Sequence, residues 1–186
     1  MIKNPMSPYT LNGREDAWIK LKPDYMDGMG ENFELVVTGA YYGTGNRGKA
    51  GRVGSFMCSL RDGNEPDKYY SFAKVGSGLS YAVMEQLESF RPHFYEWPKT
   101  ATRNERGEYV IEGVVYKNEK PDLLIRPDKS FTIRVLAAEI IASVDEYGAG
   151  ACLRFPRCQQ IWYSKEFLES HPVQEVMTMG GASSVR

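Results

Sequence analysis

The residues best suited to chemistry lie in Trp18-Ile19-Lys20-Leu21-Lys22-Pro23-Asp24-Tyr25. Apolar and cationic residues alternate there with the period of two that a β-strand imposes. Ile19 and Leu21 fall on one face, Trp18, Lys20 and Lys22 on the other. Side chains two positions apart on a strand stand about 7 Å apart, which lets two ammonium groups reach neighbouring phosphates of one nucleotide. Pro23 cannot donate to a ladder and stops the strand. The same pattern also suits a solvated sheet edge, where lysines guard against aggregation. Pattern alone leaves both readings open.

Two further stretches stand out. Between Gly43 and Gly54 five glycines are interleaved with Arg47, Lys49 and Arg52 and no acid. Glycines let backbone approach a phosphate chain and the bases neutralise it. The segment has neither the Gly-Lys-Ser/Thr of a phosphate-binding loop nor the setting of a dinucleotide fingerprint, and an ordinary solubilised hairpin loop would look similar. In Arg154-Phe155-Pro156-Arg157, two guanidiniums flank an aromatic–proline pair. Arginine forks suit phosphates, and an exposed Phe can wedge into a minor groove; a core Phe155 with two surface arginines is the alternative. Glu139 interrupts an apolar run and reads as a member of a structural ion pair rather than a catalytic acid. No Ser/His/Asp set, no nucleophile beside a base and no His/Cys metal cluster occurs in the sequence.

The elements that must position these residues are mostly strands. Residues 1–13 read as loop, 18–22 as strand, and the acidic, glycine-containing 23–32 as a hinge. Strands follow at 33–43, with Gly39 marking a bulge, and at 55–61 and 68–75. Ser80 caps a helix over 81–90 that Arg91-Pro92 ends. Later strands are expected at 109–116, 123–125, 131–141, 152–155 and 158–163, then a short helix at 164–170 and a tail over 173–186. A helix after the third of several short strands is the arrangement of the OB-fold, a Greek-key barrel common in nucleic-acid binding. The expected fold is mainly β, an OB-fold with one or two helices over 33–172, preceded by a remnant strand of another domain at 1–22.

Composition agrees. In 186 residues, 42% hydrophobic and 25% charged, a packed core is expected. The net charge of −1 excludes a global basic field, so a polyanion would meet local patches. Cys58, Cys152 and Cys158 lack paired spacing, which points to a reducing compartment. His93 and His171 each adjoin a proline and read as surface or loop residues. No apolar run approaches a membrane span and no signal peptide is recognisable.

In this order these stretches resemble the C-terminal part of the catalytic core of eukaryotic ATP-dependent DNA ligases, the ligase IV branch most of all. Ile2-Lys3-Asn4-Pro5 is similar to the end of that family's motif IV and Trp18–Tyr25 to its motif V. Gly39-Ala-Tyr-Tyr-Gly-Thr-Gly-Asn-Arg-Gly48, Phe72-Ala-Lys-Val-Gly-Ser-Gly78, Lys120–Ile125, Ala137–Ile140 and Cys152-Leu-Arg-Phe-Pro-Arg157 resemble its OB-domain strands. The resemblance implies that residues 1–22 end a nucleotidyltransferase domain. It implies catalytic roles for Lys20 and Lys22, ATP contacts from Lys3, Lys20, Lys22 and Lys165, and DNA contacts from Arg47, Lys49, Arg52, Arg154, Phe155 and Arg157. It implies ATP, Mg²⁺ with no assignable ligand here, nicked or broken duplex DNA, the remaining nucleotidyltransferase and DNA-binding domains of the same protein, no membrane, and a nuclear setting in end-joining repair. Two departures matter. The family's adenylated lysine stands in Lys-x-Asp-Gly, which occurs nowhere in the sequence. Of the family's Arg-x-Asp-Lys in motif VI, only Lys165 of Trp162-Tyr163-Ser164-Lys165 survives. A non-catalytic OB-type nucleic-acid-binding module and the OB domain of an RNA-capping guanylyltransferase are the alternatives.

Overall fold

In the computed structural model, residues 2–8, 11, 18–19, 30–44, 51–162 and 171–183 are described. The lysine-bearing piece contributes β1 (Ile2–Lys3) and β2 (Trp18–Ile19), an antiparallel pair separate from the main sheet in register Ile2↔Ile19 and Lys3↔Trp18.

The barrel begins with β3 (Glu31–Tyr42), β4 (Val53–Arg61) and β5 (Tyr69–Val75), an antiparallel meander. The register shifts between Val37 and Gly39, which is the expected bulge. A Cβ at Gly39 would lie 2.6 Å from Pro121 Cγ, so only glycine lets the 121–124 segment cross that strand. The helix α1 (Tyr81–Leu87) follows. Ser80 Oγ accepts the Val83 N–H at 3.3 Å, the cap its position predicts. The α-helix is shorter than expected. It passes at Glu88 into a 3₁₀ turn that runs to His93 and contains Pro92; Pro92 lacks the N–H an α-turn would need, and the tighter winding accommodates it.

Residues 95–129 form an insertion. β6 (Tyr95–Glu96) pairs with β9 (Leu123–Leu124), which also joins β3. The single strand expected over 109–116 is a hairpin, β7 (Tyr109–Ile111) and β8 (Val114–Tyr116). Glu112 and Gly113 between them both take positive φ, +48° and +79°. That is the two-residue turn whose twist matches a hairpin, with Glu in place of the usual Asn or Asp, so the sequence signal was weak. β8 lies parallel to β5.

The strand expected at 131–141 also breaks, into β10 (Thr132–Ala137) and β11 (Glu139–Ala142). Its partner breaks at the matching place, into β12 (Ala151–Arg154) and β13 (Arg157–Trp162). The two form one long hairpin bent between Ala138 and Phe155-Pro156, where the Ala138 N–H still donates to the Arg154 carbonyl at 3.1 Å. β10 pairs with β3, β13 with β10, and a parallel bridge Ser77↔Arg157 joins the end of β5 to β13. The order β3-β4-β5-β13-β10 and back to β3, with a helix after the third strand, is that of the expected OB barrel. Gly78 (φ +81°) makes the closure possible, because a Cβ there would overlap the Cys158 carbonyl oxygen.

The inner face is filled by Phe33, Leu35, Phe56, Phe72, Phe131 and Ile133, none more than 1% exposed. The insertion covers the outer face of β3 and β4 with a second apolar cluster of Val36, Tyr41, Met57, Val114, Tyr116 and Leu124. Both faces of β3 are therefore buried, which is why its sequence is a nearly continuous apolar run rather than an alternation. Where a tail was expected, Val173–Ser183 forms a second helix, α2. Val176 is fully buried in the barrel core, and Gln174 Nε2 donates to Asp62 Oδ1 at 3.1 Å.

Candidate nucleic-acid interface

The tip of the bent hairpin presents the Arg-Phe-Pro-Arg stretch. Phe155 has φ +53° and is 53% exposed. A bulky side chain in the left-handed region is strained by roughly 1–3 kcal/mol, so the surrounding strands impose this conformation. The core alternative for Phe155 is thereby set aside. Arg154 lies with its guanidinium carbon 5.2 Å from the Phe155 ring centroid, and its Nη1 donates to Glu139 Oε1 at 2.5 Å. Glu139 is thus the ion-pair partner the sequence suggested, but on the surface, opposite Arg154 in the β11–β12 register. The pair fixes the arginine at the base of the exposed ring. Arg157 follows at the first position of β13, where it bridges Ser77.

The glycine loop opens at the same end. Its neck is pinched: the Gly43 N–H donates to the Arg52 carbonyl at 2.8 Å, and a Cβ at Gly54 would come within 2.6 Å of Gly43 Cα. Arg52 is exposed at that neck. A Cβ at Gly76 would lie 3.1 Å from Ser55 Cβ, so the start of β4 abuts the end of β5, and Ser77 leads to Arg157. Closure of the barrel thus places Arg52, Arg154, Phe155 and Arg157 at one end, although more than a hundred residues separate the first from the last. Arg47 and Lys49 lie outside the described residues. Sequence reasoning missed Arg91, read only as a helix stop; its guanidinium lies 6.0 Å from the ring centroid of Tyr42, beside the loop neck.

On the lysine-bearing pair, Lys3 Nζ sits 4.4 Å above the Trp18 ring, as the register requires of opposed residues on one face. Lys20, Lys22 and Lys165 lie outside the described residues, as does the helix expected at 164–170. Lys3 suits a nucleotide phosphate in charge and exposure.

Other chemistries find little support. Among the described residues no group of three His, Cys, Asp or Glu could hold a metal ion, so no Mg²⁺ ligand is assigned. All three cysteines are free, and burial raises each thiol, Cys158 to about 11, away from nucleophilic thiolate chemistry. His171 lies in a loop, as one of the two readings had it, just before α2. It is half-buried, with Nδ1 accepting the Glu34 N–H at 3.0 Å. No described helix is long and apolar enough to cross a membrane.

The arrangement defines an OB-type barrel with a basic, aromatic-tipped end. No family model matches the chain, but curated relatives do. It is 38% identical over 187 residues to DNA ligase 4 of Emericella nidulans, covering 96% of the chain and 18% of that protein. It is 39% identical over 171 residues to DNA ligase 4 of Cryptococcus neoformans var. neoformans, covering 89% and 15%. A solved structure, the ligase domain of M. tuberculosis LigD, aligns over 90% of the chain and 45% of its own with a TM-score of 0.48 at 20% identity. The chain is similar to a segment of these DNA ligase 4 proteins, and it spans less than a fifth of their length.

Proposed function

We propose that this chain is the OB portion, with the closing strands of the nucleotidyltransferase portion, of an ATP-dependent DNA ligase of the ligase 4 kind, and that its barrel end binds nicked or broken duplex DNA. Phe155 carries the reading: an exposed aromatic ring held in strained backbone, braced by Arg154 and followed by Arg157. An apolar ring on a basic surface has nothing to gain from water. It has much to gain from a minor groove, where a wedge can part a weakened base step while flanking guanidiniums hold the phosphates. Arg52 and the glycine loop add backbone contacts that position without reading sequence.

In the complete protein ATP supplies an adenylyl group. Lys3, Lys20, Lys22 and Lys165 hold its phosphates as point charges, which act most strongly where negative charge develops during transfer. With no Lys-x-Asp-Gly in this sequence, the adenylated nucleophile is not among its residues, and sealing needs a domain that carries one. Residues 1–22, 23–32, 33–172 and 173–186 then correspond to adenylation-domain end, hinge, OB domain and following segment. A nuclear location accords with this role.

Fluorescence anisotropy with a nicked duplex at two salt concentrations tests the DNA reading. Binding is expected at low salt and falls steeply as salt rises. Phe155→Gly and Arg154→Ala each weaken it several-fold, and Lys20→Ala leaves it unchanged. Absence of binding at low salt sinks the reading, while preference for single strands favours a non-catalytic OB module instead.

A further inference from the structure

We infer that Arg103, Tyr109 and Lys120 form a phosphodiester-binding site that carries the DNA path from the barrel end onto the 95–129 insertion. The inference rests on the DNA-binding reading above and extends it to residues that reading does not use.

Two cations converge on one phenol. The Arg103 guanidinium carbon lies 5.2 Å and Lys120 Nζ 4.8 Å from the Tyr109 ring centroid, and Lys120 Nζ also stands 5.8 Å from that of Trp97. Trp97 packs edge-on against Tyr109 at 5.3 Å and against the fully buried Tyr116 at 5.3 Å, so the platform is anchored in the second core. Lys120 donates to the Tyr109 hydroxyl oxygen at 3.4 Å, leaving the phenol O–H able to donate outward. Arg103 spends one N–H on the neutral Asn118 Oδ1 at 2.7 Å. Neither cation is among the ion pairs of the described residues, unlike Lys68, Lys74, Arg126, Arg134 and Arg154. The neighbouring acid Glu108 is turned to Asn104 Nδ2 at 3.3 Å. Hydrogen bonding from Arg103 and then from Lys120 also lowers the Tyr109 phenol below its ordinary range.

Two cations and a phenol hydroxyl clustered at one ring, with N–H groups beyond those spent on Asn118 and Tyr109, suit a tetrahedral anion. The ligand class follows from location. Asp122 ties this cluster to the glycine loop: its carbonyl accepts the Trp97 N–H at 3.1 Å and its Oδ2 accepts the Tyr42 N–H at 2.9 Å, one residue before Gly43. An anion at Tyr109 is thus linked to the loop bearing Arg52 through the Trp97 ring contact and two hydrogen bonds of Asp122. A DNA backbone offers a repeating series of such anions, and an aromatic platform beside them suits nucleic acid better than an acidic peptide.

The test is anisotropy of the whole 186-residue chain on a fluorescein-labelled nicked duplex between about 50 and 200 mM salt. Arg103→Ala/Lys120→Ala is expected to weaken binding about tenfold and to reduce the slope of log affinity against log salt by about 0.9, the share of the one phosphate held there. The charge-keeping Arg103→Lys/Lys120→Arg retains the slope, and Tyr109→Phe weakens binding about twofold without changing it. All these positions are partly or fully exposed, so circular dichroism melts should match the parent. If the double alanine variant keeps parental affinity and slope while Arg154→Ala loses affinity, the inference is overturned and the DNA reading stands. If the parent binds no DNA, the DNA reading falls and takes the inference with it. Poly-glutamate that binds the parent and not the double variant, with DNA binding unaffected by the change, makes the site an acidic-peptide surface and overturns it too.

Discussion

Asp62 shows what one buried carboxylate does for this fold. It is 6% exposed and accepts hydrogen bonds from the Asn64 and Glu65 backbone, from Tyr70 Oη at 3.0 Å and from Gln174 Nε2 at 3.1 Å. The Asn64 N–H, then the side chains of Gln174 and Tyr70, hold its carboxyl down at about 2 against the opposing effect of burial. The sign follows directly. The native state binds this proton less readily than the unfolded chain, whose aspartate titrates near 3.9, so the stabilisation is present above about pH 4 and lost as pH falls through about 2. Urea midpoints measured from pH 7 to 2 should therefore drop on the acid side, and Asp62→Asn should lower the midpoint at pH 7 while flattening that drop. An unchanged acid slope in Asp62→Asn would remove Asp62 from this role. Nothing in Asp62-Gly63 beyond a turn was legible beforehand, because the two side-chain donors, Tyr70 and Gln174, come from residues the turn signal does not reach.

At the scale of elements, α2 illustrates a helix made by its contacts. Gly180, Gly181 and the small residues around them are poor helix formers, and the segment reads as a tail on propensity. Tertiary packing decides otherwise. Val176 enters the core, the Gly63 N–H donates to Gln174 Oε1 at 2.9 Å, and His171 exchanges backbone and ring hydrogen bonds with Glu34 just before the helix. Val176→Ala should cost about 2 kcal/mol in urea unfolding, with amide exchange rising in both α2 and the 62–68 turn. A loss of protection confined to α2 would mean that the turn does not depend on the helix. The bent hairpin makes the converse point. Its strand-forming stretches were legible at 131–141, 152–155 and 158–163, but the alternation of 131–141 concealed the break at Ala138, because bending leaves the apolar pattern intact while turning Glu139 and Ile141 outward.

At the scale of the whole molecule, closure through Ser77 and Arg157 converts a meander and a distant hairpin into one barrel and gathers the basic end. The contact is also its most exacting point. Gly78→Ala would force a Cβ into the Cys158 carbonyl and a left-handed residue into strain. The variant should lose about 3 kcal/mol or more, with DNA binding lost alongside, whereas Gly107→Ala, also at positive φ but with open space around it, should cost about 1 kcal/mol. Equal losses would mean that strain, not closure, governs both.

Much was readable from the sequence alone. Runs of β-forming residues, capping at Ser80 and the turn glycines placed most of the barrel strands and the first helix, because those signals are local and act through backbone geometry. Residue chemistry singled out Arg52, Arg154, Phe155 and Arg157 and the lysine pattern of 18–22. What only the tertiary structure decided was which of these residues meet. The second apolar layer, the hairpin at Glu112-Gly113, the docking of α2 and the convergence of Arg103 and Lys120 on Tyr109 all depend on contacts between segments far apart in sequence. Burial and charge pairing are properties of such contacts, and a linear pattern carries no record of them.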